Sequence, residues 1–215
     1  MEKNLENYRK VYKKDELRLE NLEKNPITLF QQWFAYAESL GKIDEANAMT
    51  ISTIGLDGFP KNRVVLLKKI KEEGFVFYTN YQSEKGKAIA KNPRVSLSFF
   101  WPEAERQVII IGKAEKVSEE ESDAYFNSRP EGSRLGAIVS PQSQPIANRE
   151  VLEEKLEATE EEYKNKPIKR PFHWGGYIVK PHAIEFWQGR PNRLHDRFKY
   201  SLDKDNKWNA IRLAP

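Results

Sequence analysis

The sequence predicts a mainly β chain, an antiparallel meander or barrel with helices around it. Two observations carry this. Between Met49 and Val117 short runs of alternating or continuous apolar residues follow one another, joined mostly by tight polar turns rather than by crossover helices. From about residue 175 to the end the same β-type patterning returns. The length of 215 residues fits one sizeable domain with trimmings. Aromatic residues (5 Trp, 9 Tyr and 11 Phe) supply bulky core material and argue against a disordered chain.

Residues 1–24 read as a charged arm in which Leu5, Tyr8, Tyr12, Leu19 and Leu22 are the apolar positions, and it needs something else to fold against. Asn25-Pro26 opens a helix, with Asn as cap and Pro in the first turn. Leu29, Phe30, Trp33, Phe34, Ala37 and Leu40 recur at helical spacing until Gly41. Strands are predicted at Met49–Ile54, Arg63–Ile70 and Phe75–Thr79, then a short helix over Ser83–Lys91 ended by Asn92-Pro93. Two long strands follow, Arg94–Trp101 and Gln107–Val117. Ser118 starts a helix with acids in its first turn, where the dipole favours them, and Arg129-Pro130 breaks it. Ser140–Pro145 is a polar loop and Asn148–Lys164 a charged helix. Strands at roughly 175–180, 183–188, 195–201 and 207–213 complete the chain. No linker divides residues 25–215, which are expected to form a single domain.

Composition excludes several classes of chemistry. There is no Cys, which removes disulfides, thiolate metal sites and cysteine nucleophiles. His173, His182 and His195 are not at metal-ligand spacing, so no metal is expected. No P-loop, dinucleotide fingerprint, HExxH or GxSxG pattern occurs. The longest apolar run, Trp33–Ala37, is far below the ~18 residues a membrane span needs. With no apolar leader visible, a soluble cytoplasmic protein is expected.

The net charge of +4 is only mildly basic. Its distribution is more telling: Lys164–Lys199 holds nine Lys and Arg against Glu185 and Asp196, with Trp174, Phe186 and Trp187 among them. Cations interleaved with aromatics fit an anionic ligand with a flat ring, either a nucleotide-like cofactor or single-stranded nucleic acid.

Four patterns could carry chemistry. In Arg193-Leu194-His195-Asp196-Arg197, strand periodicity would set Arg193, His195 and Arg197 on one face, where they repel unless an anion or an electron-rich ring faces them. An edge strand facing water satisfies the spacing equally well. Arg63-Val64-Val65-Leu66-Leu67-Lys68 is an apolar run bracketed by cations. Its ends have opposite parity, so one ligand reaches both only across a bend or a subunit boundary; two ends simply leaving the core is the simpler account. Tyr78-Thr79-Asn80 followed by Ser83-Glu84-Lys85-Gly86 could seat a phosphate at a helix start, or Ser83 could simply cap that helix. Arg129-Pro130-Glu131-Gly132-Ser133-Arg134, beside Tyr125, is a second possible phosphate grip or a solvated loop. Together they fit a phosphorylated flat cofactor and a phosphorylated substrate, with single-stranded RNA as the rival.

These residues also carry a resemblance. The stretches Arg63–Lys68, Phe77–Asn80, Glu105-Arg106-Gln107-Val108, Ser128-Arg129-Pro130, Pro141-Gln142-Ser143, Trp174-Gly175-Gly176, Glu185–Gly189, Arg193–Arg197 and Arg212–Pro215, in this order, resemble the pyridoxine/pyridoxamine 5'-phosphate oxidases, from about Tyr8 to Pro215. The resemblance implies an antiparallel split β-barrel homodimer with FMN at the subunit interface and both subunits lining each site. It implies that Arg63, Val64, Val65, Leu66, Leu67 and Lys68 lie along the FMN, and that Arg63, Thr79, Lys85 and Ser143 serve its phosphate side. Tyr78, Gln107, Gln142, Trp187 and Arg197 would surround the rest of the cofactor. Lys68, Tyr125, Arg129 and Ser133 would grip the substrate phosphate; Arg193, Leu194 and His195 would lie over the substrate ring, with Arg193 and His195 catalytic. Arg9 and Tyr12 would close over the substrate as part of the arm.

The implied reaction is oxidation of pyridoxamine or pyridoxine 5'-phosphate to pyridoxal 5'-phosphate by hydride transfer from C4' to flavin N5, with O2 as acceptor and H2O2 as product. The alternative is a split-barrel flavin reductase or other FMN-binding protein. Neither nucleic acid nor membrane is implied as a partner. Two departures stand out: Glu84 replaces an Arg common in the family and cannot grip phosphate, and Lys10-Val11 replaces an Arg-Glu pair.

Overall fold

The computed structural model describes residues 3–215; Met1 and Glu2, the first two residues of the expected arm, lie outside them. The first helix, α1, runs Pro26–Ser39, capped by Asn25, whose side chain accepts from the Ile27 N–H. Gly41, at φ +57, takes the left-handed turn that ends it. Then follow β1 (Ala48–Ile54), β2 (Pro60–Leu66), β3 (Lys69–Lys71), β4 (Gly74–Asn80), α2 (Glu84–Lys91), β5 (Arg94–Trp101) and β6 (Arg106–Lys116). Next come α3 (Glu119–Asn127), α4 (Glu131–Val139), α5 (Glu150–Tyr163), β7 (Trp174–Gln188), β8 (Asp196–Leu202) and β9 (Trp208–Leu213). Strands hydrogen-bond in the order β2-β1-β5-β6-β7-β4-β3, with β8 on β7 and β9 on β8. The pairings β3–β4, β4–β7, β7–β8 and β8–β9 are antiparallel.

Three expectations are corrected. The strand expected over Arg63–Ile70 breaks after Leu66 and resumes at Lys69, supplying the bend that the parity of Arg63 and Lys68 demanded. The two strands expected at 175–180 and 183–188 are one strand, β7. Pro181, which has no N–H to give a ladder, falls between the register with β4, which reaches Val179, and the register with β8, which starts at Ala183. A helix, α4, follows Arg129-Pro130 where the patterning predicts no element, so the start of that segment is not the solvated loop that stands as the alternative to a phosphate grip: Pro130 stops α3 and its carbonyl then accepts from Arg134 N as α4 begins.

The chain forms two compact units. One comprises Met1–Thr50, Leu97–Ile111 and Pro181–Pro215. Its core is aromatic: Phe30 of α1 meets Phe99 at 5.0 Å and Trp101 at 5.9 Å, and Trp33 meets Phe186 edge-on at 5.2 Å. The buried Trp101 indole finds its acceptor at Ala46 O, 2.9 Å away. The other unit comprises Ile51–Ser96 and Gly112–Lys180. There β4 pairs with the start of β7, from Phe75↔Val179 to Asn80↔Trp174. Around Trp174 pack Phe126, Leu135 and Ile168, with Tyr125 and Tyr78 at the margin. That cluster fixes where α3 and α4 deliver their polar side chains.

Candidate active site

The unit built on β4 and α2 contains a cavity of about 480 Å³. It is lined by Val64, Val65 and Leu66 of β2, by Lys68, by Tyr78 and Thr79 at the end of β4, and by Lys85 of α2. Tyr125, Arg129, Pro130, Ser133, Gln142 and Trp174 complete it, so among the described residues no carboxylate lines this wall.

Its cations are short of partners. Lys85 is 9% exposed, and among the described residues its Nζ hydrogen-bonds to neutral oxygens only, Thr79 Oγ1 and Gln142 Oε1, both at 3.3 Å. Burial, then the neighbouring Arg63 charge, lowers the Lys85 pKa from its ordinary value. Arg129 lies 4.7 Å over the Trp174 ring, and its Nη1 is buried without any hydrogen-bond partner. Burial lowers its pKa as well. A buried, unpaired cation is costly; Lys85 is one, Arg129 is half-buried with one nitrogen unpaired, and together they face the cavity as a cradle for anions. Flat surface is at hand: Tyr78 stacks on Tyr125 at 3.8 Å, and Tyr125 and Trp174 lie within 6° of parallel. The helix start is not an open nest, however. Ser83 Oγ already accepts from Gly86 N at 3.2 Å, so the capping account of Ser83 holds.

The other unit contains a cavity of about 590 Å³, lined by Tyr8–Tyr12 of the arm and by Trp187, Arg190, Asn192, Arg193 and His195. The period-two argument for this segment is corrected. β8 begins only at Asp196, and Arg193 sits in a short 3-10 turn, Pro191–Arg193. Asn192 and Arg193 are both left-handed, at φ +58 and +61. Such backbone costs of order 1–3 kcal/mol per residue and gathers at functional sites. It turns Arg193 to the cavity that His195 also lines. Arg190 N donates to His195 Nδ1 at 3.0 Å, which leaves the proton of the neutral ring on Nε2. Burial, then the Arg193 charge, lowers the His195 pKa. The imidazole is tilted on Trp187 at 4.6 Å, and Tyr12 meets both rings edge-on at 5.5 and 5.7 Å.

Of the expected residues, the first cavity gathers Val64, Val65, Leu66, Lys68, Tyr78, Thr79, Lys85, Tyr125, Arg129, Ser133 and Gln142. The second gathers Arg9, Tyr12, Trp187, Arg193 and His195. Others line neither. Arg63 donates to Thr53 Oγ1 and Lys61 O, both at 2.7 Å, with Glu84 at 3.9 Å. Leu67 is buried in the core. Gln107 is half-buried on β6, and Ser143 sits in an exposed turn at φ +69. Leu194 is exposed, and Arg197 pairs with Glu185 at 2.8 Å. The sequence reading gave no role to Trp174 or Arg190. For Trp174 the signal was available, a Trp within the basic stretch followed by two glycines; Arg190 had none.

Residues 37–163 match the family model described as pyridoxamine 5'-phosphate oxidase. Residues 174–215 match that of the pyridoxine 5'-phosphate oxidase C-terminal dimerisation region. The chain belongs to the pyridoxine/pyridoxamine 5'-phosphate oxidase family. It is 61% identical over 213 residues to the pyridoxine/pyridoxamine 5'-phosphate oxidase of Flavobacterium psychrophilum, covering 99% of this chain and 100% of that one. It is 62% identical over 210 residues to that of Flavobacterium johnsoniae, covering 98% of each. Among solved structures it is similar to PhzG from Burkholderia lata in complex with tetrahydrophenazine-1-carboxylic acid, with TM-score 0.86 and 29% identity over 94% of this chain and 98% of that one. The mainly β, antiparallel split-barrel fold with peripheral helices is thus the family's, and membership makes the chain an oxidase of phosphorylated B6 vitamers. No helix among the described residues is long and apolar enough to cross a membrane.

Proposed function

We propose that the chain works as an FMN-dependent homodimer that converts pyridoxine and pyridoxamine 5'-phosphates to pyridoxal 5'-phosphate, with O2 as acceptor and H2O2 as product. The supporting observation is the cavity in which Lys85, buried, and Arg129, half-buried with Nη1 unpaired, have no anionic partner among the described residues. Two phosphate groups, one on the cofactor and one on the substrate, are the charges these cations lack. The match of residues 174–215 to a dimerisation region supports a second copy, so that both subunits line each site.

Lys85 and Thr79 hold the cofactor's phosphate side, Gln142 stands beside the rest of the cofactor, and the Val64–Leu66 segment of β2 runs along it. Val64 is 67% exposed, a strand face open to a ligand or a partner. Arg63, Leu67, Lys68, Tyr78, Gln107, Ser143, Trp187 and Arg197 join this set by family resemblance. The chemistry supplied by bound FMN is acceptance of a hydride from C4' of the substrate and delivery of the two electrons to O2. Lys68, Tyr125, Arg129 and Ser133 bind the substrate phosphate, spending remote binding energy on orientation of the ring. Arg193 sets a fixed positive charge beside the reacting ring, and Leu194 flanks it. His195, neutral at pH 7 and protonated on Nε2, can donate one hydrogen bond there. Arg9 and Tyr12 close the cavity against water.

The test is direct. The purified protein is expected to be yellow, to be a dimer, and to form pyridoxal phosphate while consuming oxygen. A flavin-loaded protein with no turnover of pyridoxine phosphate overturns the activity and leaves another split-barrel flavoprotein; a colourless protein that takes up no FMN overturns the cofactor.

A further inference from the structure

Glu105 opens a stretch of the family resemblance, yet the site as described does not use it. It lies between β5 and β6, 2% exposed, with its backbone left-handed at φ +56. A buried carboxylate on strained backbone persists only where its surroundings hold it. Here the holding groups come from the N-terminal arm. Glu105 Oε2 accepts from Lys13 N at 2.8 Å and Lys14 N at 3.0 Å, while Oε1 faces Lys10 Nζ at 3.3 Å. Burial pushes the carboxyl's pKa up, but these groups outweigh it and hold the pKa below the usual carboxylate range.

The same residue reaches the opposite way through its backbone. Its carbonyl accepts from Gly189 N at 2.8 Å and Gln188 Nε2 at 3.2 Å, at the end of the strand that carries Trp187. Gly189 is where the arm lands: a Cβ there would sit 2.7 Å from the Tyr12 ring. Arg106 adds a second tie. Its guanidinium lies 4.4 Å over both Trp33 and Tyr36, donates to Gln188 Oε1 at 2.8 Å and pairs with Asp15 at 2.5 Å.

We propose that Glu105 is a positioning residue for the oxidase reaction: its carboxylate latches Lys10–Lys14 of the arm and thereby sets Arg9 and Tyr12 over Arg193 and His195. This rests on the reading of that cavity as half of the substrate site. The latch is made of charge-assisted hydrogen bonds to backbone N–H groups, so it fixes the arm's register as well as its proximity.

Two variants test it in the FMN-loaded enzyme. Glu105→Gly removes the carboxylate and tolerates the left-handed backbone. Glu105→Gln keeps an acceptor for the two N–H groups and removes only the charge facing Lys10. Glu105→Gly is expected to raise KM for pyridoxine 5'-phosphate about 10-fold, equivalent to ~1.4 kcal/mol, with kcat within about two-fold. Glu105→Gln is expected to raise it only about two- to three-fold. Without substrate, trypsin is expected to cut after Lys10, Lys13 and Lys14 about 10-fold faster in Glu105→Gly, while FMN affinity, read by flavin fluorescence, stays the same. An unchanged KM overturns the proposal, whether or not cleavage accelerates, and so does a fall in kcat at constant KM. If the wild-type enzyme makes no pyridoxal phosphate, the functional reading fails; the cleavage rates still report separately whether Glu105 holds the arm.

Discussion

The two cavities solve the problem of placing cations in different ways. In the cradle around Lys85 and Arg129, regular elements frame the charges: Lys85 stands in the first turn of α2, and Arg129 in the tight junction between α3 and α4. There Lys85 is buried and Arg129 half-buried, both without acidic partners among the described residues, so the cradle is strained electrostatically until an anion arrives. In the cavity around Arg193 and His195 the backbone itself is strained, at Asn192 and Arg193, and the wall is an extended arm fastened by Glu105, Arg106 and Asp196. The first site stores its cost in desolvation and the second in conformation. Binding should therefore respond to charge in one, and turnover to geometry in the other.

The largest effect expected of breaking that contrast is at Arg193. Arg193→Ala should lower kcat/KM by about 100-fold while FMN stays bound, since an oriented charge at the reacting ring is lost and no cofactor contact is. Near-normal turnover would remove Arg193 from catalysis. At Lys85 the effect falls on binding and carries an opposite sign in stability. Lys85→Met keeps the buried volume and removes an unpaired charge, so FMN affinity should drop by about 10- to 100-fold. The apo protein should melt higher than wild type, because a buried cation without a counter-ion has been deleted. Calorimetry of both apo proteins checks this; a lower Tm together with intact FMN binding would show that Lys85 is a structural residue. Smaller again is Arg129→Ala, expected to raise KM for the phosphorylated substrate about 10-fold with kcat little changed. The same variant should leave any weak turnover of unphosphorylated pyridoxine unaffected, which separates phosphate recognition from general damage.

The same contrast explains what could be read from residues alone. Strand and helix periodicity located β1, β5, β6, α1, α2 and α5 closely, because each buries one face and its pattern repeats. Of these only α2 reaches the cradle, through Lys85; its other side chains come from β2, β4, β7, α3, α4 and their connections, and were legible through the family resemblance of their motifs rather than through periodicity. The Arg193 segment was misread as a strand because charged residues at alternate positions look the same in a strand and in a turn with two left-handed residues; neither Asn192 nor Arg193 is a glycine that would flag the turn. The break between β2 and β3 hid inside a continuous apolar run, whereas β7 was split because Pro181 looks like a stop until its change of partner is seen. The task of Glu105 is invisible in its motif, since its partners Lys13 and Lys14 are some ninety residues away and use backbone N–H groups that no sequence pattern encodes.

The finest test concerns His195. Two influences push its pKa down from the ordinary 6.5, burial first and the Arg193 charge second, with Asp196 opposing them. The backbone N–H of Arg190 bonded to Nδ1 adds to the same sign, because an imidazolium would present a proton there instead of a lone pair. The neutral ring is therefore the working form, and kcat/KM should hold down to below pH 6.5 before an acid limb sets in. Replacing Arg193 by Gln removes one of these depressing influences but neither the burial nor the Arg190 N–H. The acid limb of the residual activity should then move up in pH toward the ordinary imidazole value without passing it. An NMR titration of the His195 ring in both proteins gives the shift directly; a limb that stays in place, or moves down, would mean that the Arg193 guanidinium does not face the imidazole and that the two residues act on the substrate separately.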